Sequence, residues 1–116
     1  MRRFLPILVT MLLAAPGVHA ATVELDLPYV SAVEADSVTY RCPDFELTAT
    51  YHNAGDIALA VLQFEARNVV VVTVPSASGA RYAGGNFVWW TKGDHGDLYD
   101  VSRGEDAKPV SCAAGR

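Results

Sequence analysis

Short segments in which apolar and polar residues alternate dominate the chain after residue 20. The clearest runs over Phe45–His52, where Phe45, Leu47, Ala49 and Tyr51 alternate with Glu46, Thr48, Thr50 and His52. Alternation with a period of two places the two sets on opposite faces of a β-strand. A long apolar period of 3.6 residues, which would favour a helix, does not occur in this region. The pattern therefore predicts an all-β chain.

Turn residues divide the chain into about eight short strands. The predicted strands are Thr22–Leu27, Val38–Cys42, Phe45–His52, Ile57–Phe64, Val69–Val74, two segments flanking Gly84-Gly85, Asp97–Val101 and Lys108–Cys112. Residues 28–36 stay unassigned, and Glu34-Ala35-Asp36 would fit a single helical turn. This spacing favours a small antiparallel eight-stranded β-barrel, or else a small sandwich. A barrel has the advantage that it leaves no exposed strand edge.

The first twenty residues are typical of a secretory signal peptide. Two arginines give a basic start, Phe4–Ala15 is apolar, and Val18-His19-Ala20 fits a cleavage site. The apolar run is short for a membrane span, and no cysteine near the cleavage point could take a lipid. We therefore expect residues 1–20 to be removed and residues 21–116 to form a single soluble domain without a membrane anchor.

Two cysteines, Cys42 and Cys112, would help such a small domain to fold. In a secreted chain, one pair of cysteines predicts one disulfide. This bond would close a loop of about 70 residues and contribute roughly 4 kcal/mol by restricting the unfolded chain. Two free thiols or a metal pair are the alternatives. Neither a third cysteine nor a nearby histidine supports a metal, so we expect no cofactor.

The charge of the chain argues against nucleic acid as a partner. Without the two arginines of the leader, the chain keeps seven basic and thirteen acidic residues, a net charge of −6. Such a domain repels a phosphate backbone and attracts a basic partner. Solubility alone would also explain the charge. The sequence is compatible with a homodimer as well as with a monomer.

One stretch, SASGARYAGGNFVWWTKG at residues 76–93, combines four glycines, two tryptophans and one lysine. Gly84-Gly85 predicts a two-residue hairpin turn, which would pair Ser78 with Thr91. A loop one residue longer would pair Ser78 with Lys92 instead. Both registers bring Ser78 beside the neighbouring Thr91 and Lys92, so the stretch predicts one local site.

This stretch resembles two motifs of the periplasmic and membrane-bound inhibitors of c-type lysozyme. Ser78-Gly79-Ala80-Arg81-Tyr82 matches the Ser-Gly-x-x-Tyr motif, and Phe87–Gly93 is similar to Tyr-x-x-x-Thr-Lys-Gly, with Phe87 in the tyrosine place. Other matching positions of the family are Tyr40-Arg41-Cys42, Tyr51-His52-Asn53 and Cys112. The resemblance covers about residues 38–112. It implies an antiparallel β-barrel that inhibits lysozyme and is not an enzyme.

The resemblance also implies which residues bind lysozyme, a basic enzyme with two catalytic carboxyl groups in its cleft. Lys92 would bring an ammonium and Ser78 a hydroxyl to those carboxyl groups. Tyr82 would pack behind the serine loop, and Arg81 would meet the rim. The full set is Ser78, Gly79, Ala80, Arg81, Tyr82, Thr91, Lys92 and Gly93. Because it lacks a cysteine that could carry a lipid, the chain resembles the soluble periplasmic branch of the family rather than the membrane-anchored one.

Three other functions compete with inhibition. Ser78 and Lys92 could form a hydrolytic dyad, but the serine lies in no known nucleophile motif. Asp94-His95-Gly96-Asp97 matches no calcium or zinc spacing and is better explained as a polar turn. The strongest alternative is a secreted β-barrel that binds a small ligand or glycan through Trp89 or Trp90, which should point to opposite faces. A roomy interior would favour that function.

Overall fold

The protein is described here from a computed structural model, which covers residues 20–115 together with Pro6 and Thr10. The strands are β1 (Glu34–Arg41), β2 (Glu46–Ala54), β3 (Ile57–Phe64), β4 (Arg67–Val74), β5 (Ala80–Gly84), β6 (Phe87–Lys92), β7 (His95–Asp100) and β8 (Val110–Ala114). Each strand is antiparallel to the next, and β1 pairs with β8 to close a barrel. The prediction of an all-β, eight-stranded antiparallel barrel is confirmed.

A short 3-10 helix at Val101–Arg103 connects β7 to the loop before β8. Over the described residues, the chain contains no helix with the length and apolar character needed to cross a membrane.

Alternation along the strands fills the barrel interior. The largest fully buried side chains are Trp89, Leu47, Leu62 and Val71. They come from β6, β2, β3 and β4, so the core lies where inward-facing residues of different strands meet. Large side chains fill the interior where these strands meet, so the described residues do not show the roomy interior that would favour the ligand-binding alternative.

Polar groups inside the barrel are paired with one another. Nε1 of Trp89 donates to the hydroxyl oxygen of Tyr51 at 3.0 Å, and the hydroxyls of Tyr51 and Tyr40 are hydrogen-bonded at 2.8 Å. Burial raises the pKa of both tyrosines, so both remain neutral well above neutral pH. Opposite this group, Gly96 has no side chain because a Cβ there would overlap the ring of Trp89.

The predicted disulfide between Cys42 and Cys112 is present. β1 and β8 pair through Tyr40–Ala114 and Arg41–Ala113. The next step of that antiparallel register brings Cys42 opposite Cys112. The bond therefore extends the seam at which the barrel closes.

Two expectations for the segment before the barrel are wrong. Thr22–Leu27 forms no strand, because β1 and β8 already close the sheet without it. Its apolar residues stay largely outside: Val23 is 86% and Leu25 is 64% exposed, along an open apolar groove on the outer surface. Residues 34–36 form no helical turn either, because they begin β1 and pair with the end of β2.

Candidate functional site

The hairpin of β5 and β6 turns at Gly85-Asn86 rather than at Gly84-Gly85, so both predicted registers are wrong. Ala80 pairs with Thr91, which shifts the pairing by two residues from the first prediction and by one from the second. The first glycine lies inside β5 for a packing reason: a Cβ there would overlap the carbonyl oxygen of Val70 on β4. The close approach of two strands, and not the turn, requires that glycine.

Ser78 nevertheless lies beside Lys92. β5 begins at Ala80, so Ser78 and Gly79 end the loop that arrives from β4. Gly79 has φ +67°, and a Cβ on it would lie 2.7 Å from Cγ of Lys92 and overlap the carbonyl oxygen of Thr91. The serine loop is thus packed directly against the stem of Lys92. Both Ser78 and Lys92 are exposed to solvent.

Trp90 connects the serine loop to Lys92. Its Nε1 donates to the carbonyl oxygen of Ser78 at 2.9 Å. Nζ of Lys92 lies 5.4 Å from the centroid of the indole, and Cζ of Arg81 lies 5.6 Å from it. Trp89 and Trp90 point to opposite faces, as predicted, and Trp89 is the buried one. The outward-facing indole is therefore in contact with three segments of the site.

Trp90 is not among the residues that the family motifs predict to bind lysozyme, although it is a candidate in the ligand-binding alternative. Strand alternation already placed Trp90 and Lys92 on one face. The contact with Arg81 could not be found in the same way, because the predicted register pairs Arg81 with Val88, whereas the structure pairs it with Trp90. The cluster of Arg81, Trp90 and Lys92 can be predicted only from the correct β5–β6 register. Two adjacent glycines allow more than one position for the turn, so the sequence does not determine that register.

Two aromatic residues of the family motifs lie away from the exposed site. Tyr82 is 7% exposed and faces the interior, where its ring centroid lies 5.7 Å from that of Tyr51. Phe87 begins β6 at the opposite end of the barrel, with its ring 5.3 Å from Phe64 and beneath the guanidinium of Arg67. Both positions serve packing, and at Phe87 an apolar ring contact takes the place of any hydroxyl contact.

The remaining expected residues border the Ser78–Lys92 pair. Ala80 and Thr91 are half-buried, and the hydroxyl of Thr91 donates to the carbonyl oxygen of Ala80 at 3.4 Å. Gly93 is exposed with φ +54°, in the two-residue turn between β6 and β7. Arg81 is half-buried, and its Nε is buried without a hydrogen-bond partner within the described structure.

A groove of about 270 Å³ continues the site along the outer face of β6 and β7. Its lining residues are Trp90, Lys92, His95, Asp97 and Tyr99. The predicted polar turn is shorter than the sequence suggested, because β7 already begins at His95, which pairs with Lys92. Within residues 20–115, no group of three or more histidine, cysteine, aspartate or glutamate side chains could hold a metal ion.

Comparison with known proteins identifies related sequences over most of the chain. The family described as membrane-bound lysozyme-inhibitor of c-type lysozyme matches residues 40–107. A protein of that name from Cupriavidus necator is 39% identical over 109 residues, which cover 89% of this chain and 87% of the relative. A second, from Pseudomonas aeruginosa, is 41% identical over 91 residues, which cover 76% of this chain and 72% of the relative.

A solved structure supports the same relationship. The crystal structure of Pseudomonas aeruginosa MliC in complex with hen egg white lysozyme aligns with a TM-score of 0.70 and 35% sequence identity. The alignment covers 84% of this chain and 99% of that chain. The family description names an inhibitor, which acts by binding rather than by catalysis. On the shared barrel and these identities, this chain belongs to the family of membrane-bound lysozyme inhibitors of c-type lysozyme.

Proposed function

We propose that this chain inhibits c-type lysozyme by placing Ser78 and Lys92 against the two catalytic carboxyl groups in the enzyme's cleft. One observation carries the proposal: the Ser78–Gly79 loop is packed on the stem of an exposed Lys92, so a hydroxyl and an ammonium can enter one cleft together. The relatives named as lysozyme inhibitors, and the related MliC found in complex with hen egg white lysozyme, support the class of partner.

The chemistry of the two groups suits a cleft with paired carboxyl groups. Such a pair lies about 5 Å apart in a retaining glycosidase, where one acts as acid and the other as nucleophile. The ammonium of Lys92 can form a charge-assisted hydrogen bond with one carboxylate, and the hydroxyl of Ser78 can donate to the other. With both carboxyl groups engaged and the cleft filled, substrate can neither bind nor receive a proton.

Residues around Ser78 and Lys92 would add surface to the contact with lysozyme but would not bind its catalytic carboxyl groups. Thr91 and Gly93 flank Lys92 along the exposed end of the hairpin, and the groove beyond His95 would receive side chains from the rim of the cleft. Tyr82 is part of β5 and would act from inside the barrel, where its ring packs against that of Tyr51. Its contribution to lysozyme binding is therefore support of the strand that leads away from the serine loop.

The charge of the mature chain favours the encounter. A net charge of −6 would attract a basic enzyme over several ångströms and raise the association rate at low salt. A periplasmic location, after removal of residues 1–20, would place the inhibitor beside the cell wall that lysozyme attacks. The basic, apolar and small-residue pattern of the leader supports this location.

Substitution of the two residues tests the proposal. We expect Lys92→Ala to weaken inhibition by roughly 2–5 kcal/mol, because it leaves a buried carboxylate without its partner. Ser78→Ala should cost about 1–2 kcal/mol through the loss of one hydrogen bond to a charged group. The measurement is the inhibition constant against hen egg white lysozyme, from the clearing of a Gram-positive cell suspension.

Lys108→Ala is the matched control, because Lys108 is an exposed lysine in the loop at the opposite end of the barrel. A goose-type lysozyme, which should be unaffected, controls for inhibition that does not depend on the cleft. If the Lys92 and Ser78 variants both inhibit as well as the parent, these residues do not engage the catalytic carboxyl groups.

A further inference from the structure

We propose that Trp90 is a positioning residue that holds Ser78 and Lys92 in their binding arrangement before lysozyme arrives. The inference rests on the proposed function, because it identifies the residue that orders the same site. It goes beyond that function by assigning the affinity partly to a side chain that orients the two inhibitory groups.

The first contact fixes the serine loop. Residues 75–79 form no strand, so ladder hydrogen bonds do not hold this segment in place. The indole N–H of Trp90 donates to the carbonyl oxygen of Ser78, and the hydroxyl of Ser76 donates to the same oxygen. Nε1 of Trp90 would also lie 3.3 Å from a Cβ on Gly79, so the indole edge faces the loop. This edge is the surface on which the loop rests.

The second contact restrains Lys92. Its Nζ lies over the indole, 5.4 Å from the ring centroid, within the range of a cation–π interaction. A free lysine side chain samples many rotamers, and ordering it upon binding reduces affinity. Attraction to the ring on one side, and the packed Gly79 on the other, restrict that freedom in advance. The ammonium is therefore already near the serine loop when the partner approaches.

A third contact holds the indole itself. Arg81 lies directly across the β5–β6 ladder from Trp90, and its guanidinium carbon is 5.6 Å from the ring centroid. The Nε of Arg81 is buried without a hydrogen-bond partner in the described part of the chain, and the indole is the ring that its guanidinium lies over. Trp90 thereby contacts a neighbouring strand, a loop and the inhibitory lysine.

Two substitutions separate the contacts. Trp90→Phe keeps a ring for Lys92 but removes the donor to Ser78, and we expect about fivefold weaker inhibition, the usual loss for one hydrogen bond. Trp90→Leu removes both contacts, and we expect a loss of about tenfold to thirtyfold. Phe87→Leu is the control, since it removes a half-buried aromatic residue from the opposite end of the same strand.

A double-variant comparison distinguishes positioning from general support of the fold. If Trp90 acts through the serine loop, Ser78→Ala should cost at least about threefold less in the Trp90→Phe background than in the parent. Lys92→Ala should cost the same in both backgrounds. In the free protein, NMR should show the ε-methylene protons of Lys92 shifted upfield by the indole, and this shift should disappear in Trp90→Leu.

The outcomes separate this inference from the proposed function. If both Trp90 variants inhibit like the parent while Lys92→Ala and Ser78→Ala are weakened, the positioning role is wrong and the proposed function stands. If the Trp90 effects are strictly additive with Ser78→Ala, or if the Lys92 protons show no shift in the parent, the positioning role is also wrong. Unchanged inhibition by Lys92→Ala and Ser78→Ala would instead remove the proposed function.

Discussion

At the scale of single residues, backbone conformation decides whether Ser78 and Lys92 lie side by side. Gly79 occupies the left-handed region at φ +67°, where any other L-residue is strained by about 1–2 kcal/mol. Its missing side chain also lets the serine loop touch the backbone of Thr91 and the stem of Lys92. The glycine of the Ser-Gly motif therefore has a defined physical role, although it has no side chain with which to bind lysozyme.

Gly79→Ala should separate Ser78 from Lys92 while the barrel stays folded. Because the new Cβ would overlap the carbonyl oxygen of Thr91, the loop must move off β6, and we expect at least about tenfold weaker inhibition. Gly85→Ala is a close control: Gly85 has φ +56°, but a Cβ there meets no atom within 4 Å, at the far end of the hairpin. Inhibition constants and thermal unfolding of both variants check the prediction. Equal inhibition by both would show that the loop tolerates the displacement.

At the scale of secondary structure, the apolar pattern was sufficient for the strands that form the core. The alternating segment Phe45–His52 lies close to β2, half of which faces a packed interior. Ile57–Phe64, predicted as a mostly apolar run between two turns, coincides with β3. Thr22–Leu27 alternates in the same way but has no free neighbour in the closed sheet. Alternation of apolar and polar residues indicates that a segment is compatible with a β-strand. The strand forms only where a neighbouring strand is available for pairing.

Register was harder to predict than strand position, and the candidate site depended on it. Adjacent glycines at 84 and 85 serve different purposes, one for contact with β4 and one for the turn. Sequence alone does not distinguish these purposes. The neighbourhood of Ser78 and Lys92 was predicted because both lie near the open end of the hairpin, where a shift of two residues still leaves them close.

The β3–β4 hairpin offers a prediction about stability. Its turn residues, Glu65 and Ala66, have φ of 47° and 58°, which suit asparagine and glycine far better. Replacement of this pair by Asn-Gly should stabilise the barrel by roughly 1–2 kcal/mol, because strain is removed from both residues. Urea unfolding would measure the gain. Inhibition should not change, since this turn lies at the end of the barrel opposite Lys92; a loss of inhibition would connect the two ends.

At the scale of the whole molecule, the seam between β1 and β8 completes the barrel with a short ladder. The backbone pairs Tyr40–Ala114 and Arg41–Ala113 are followed by the disulfide, and N of Gly115 donates to the carbonyl oxygen of Thr39 at 3.0 Å. The seam also reaches the site, because N of Ala114 donates to the carbonyl oxygen of Asp94 at 2.7 Å, in the turn after Lys92. Closure of the barrel and placement of Lys92 therefore depend on the same strand, β8.

Loss of the disulfide should reveal how much of the stability depends on that seam. The bond spans a sequence separation of 70 residues, for which restriction of the unfolded chain contributes about 4 kcal/mol. Since small domains are stable by only about 5–15 kcal/mol, the Cys42→Ala/Cys112→Ala double variant should unfold at a much lower urea concentration than the oxidised parent. Inhibition should persist wherever the variant is still folded, because the ladder pairs keep β8 beside the turn that follows Lys92. An unchanged urea midpoint would show that the backbone pairs close the barrel without help from the bond.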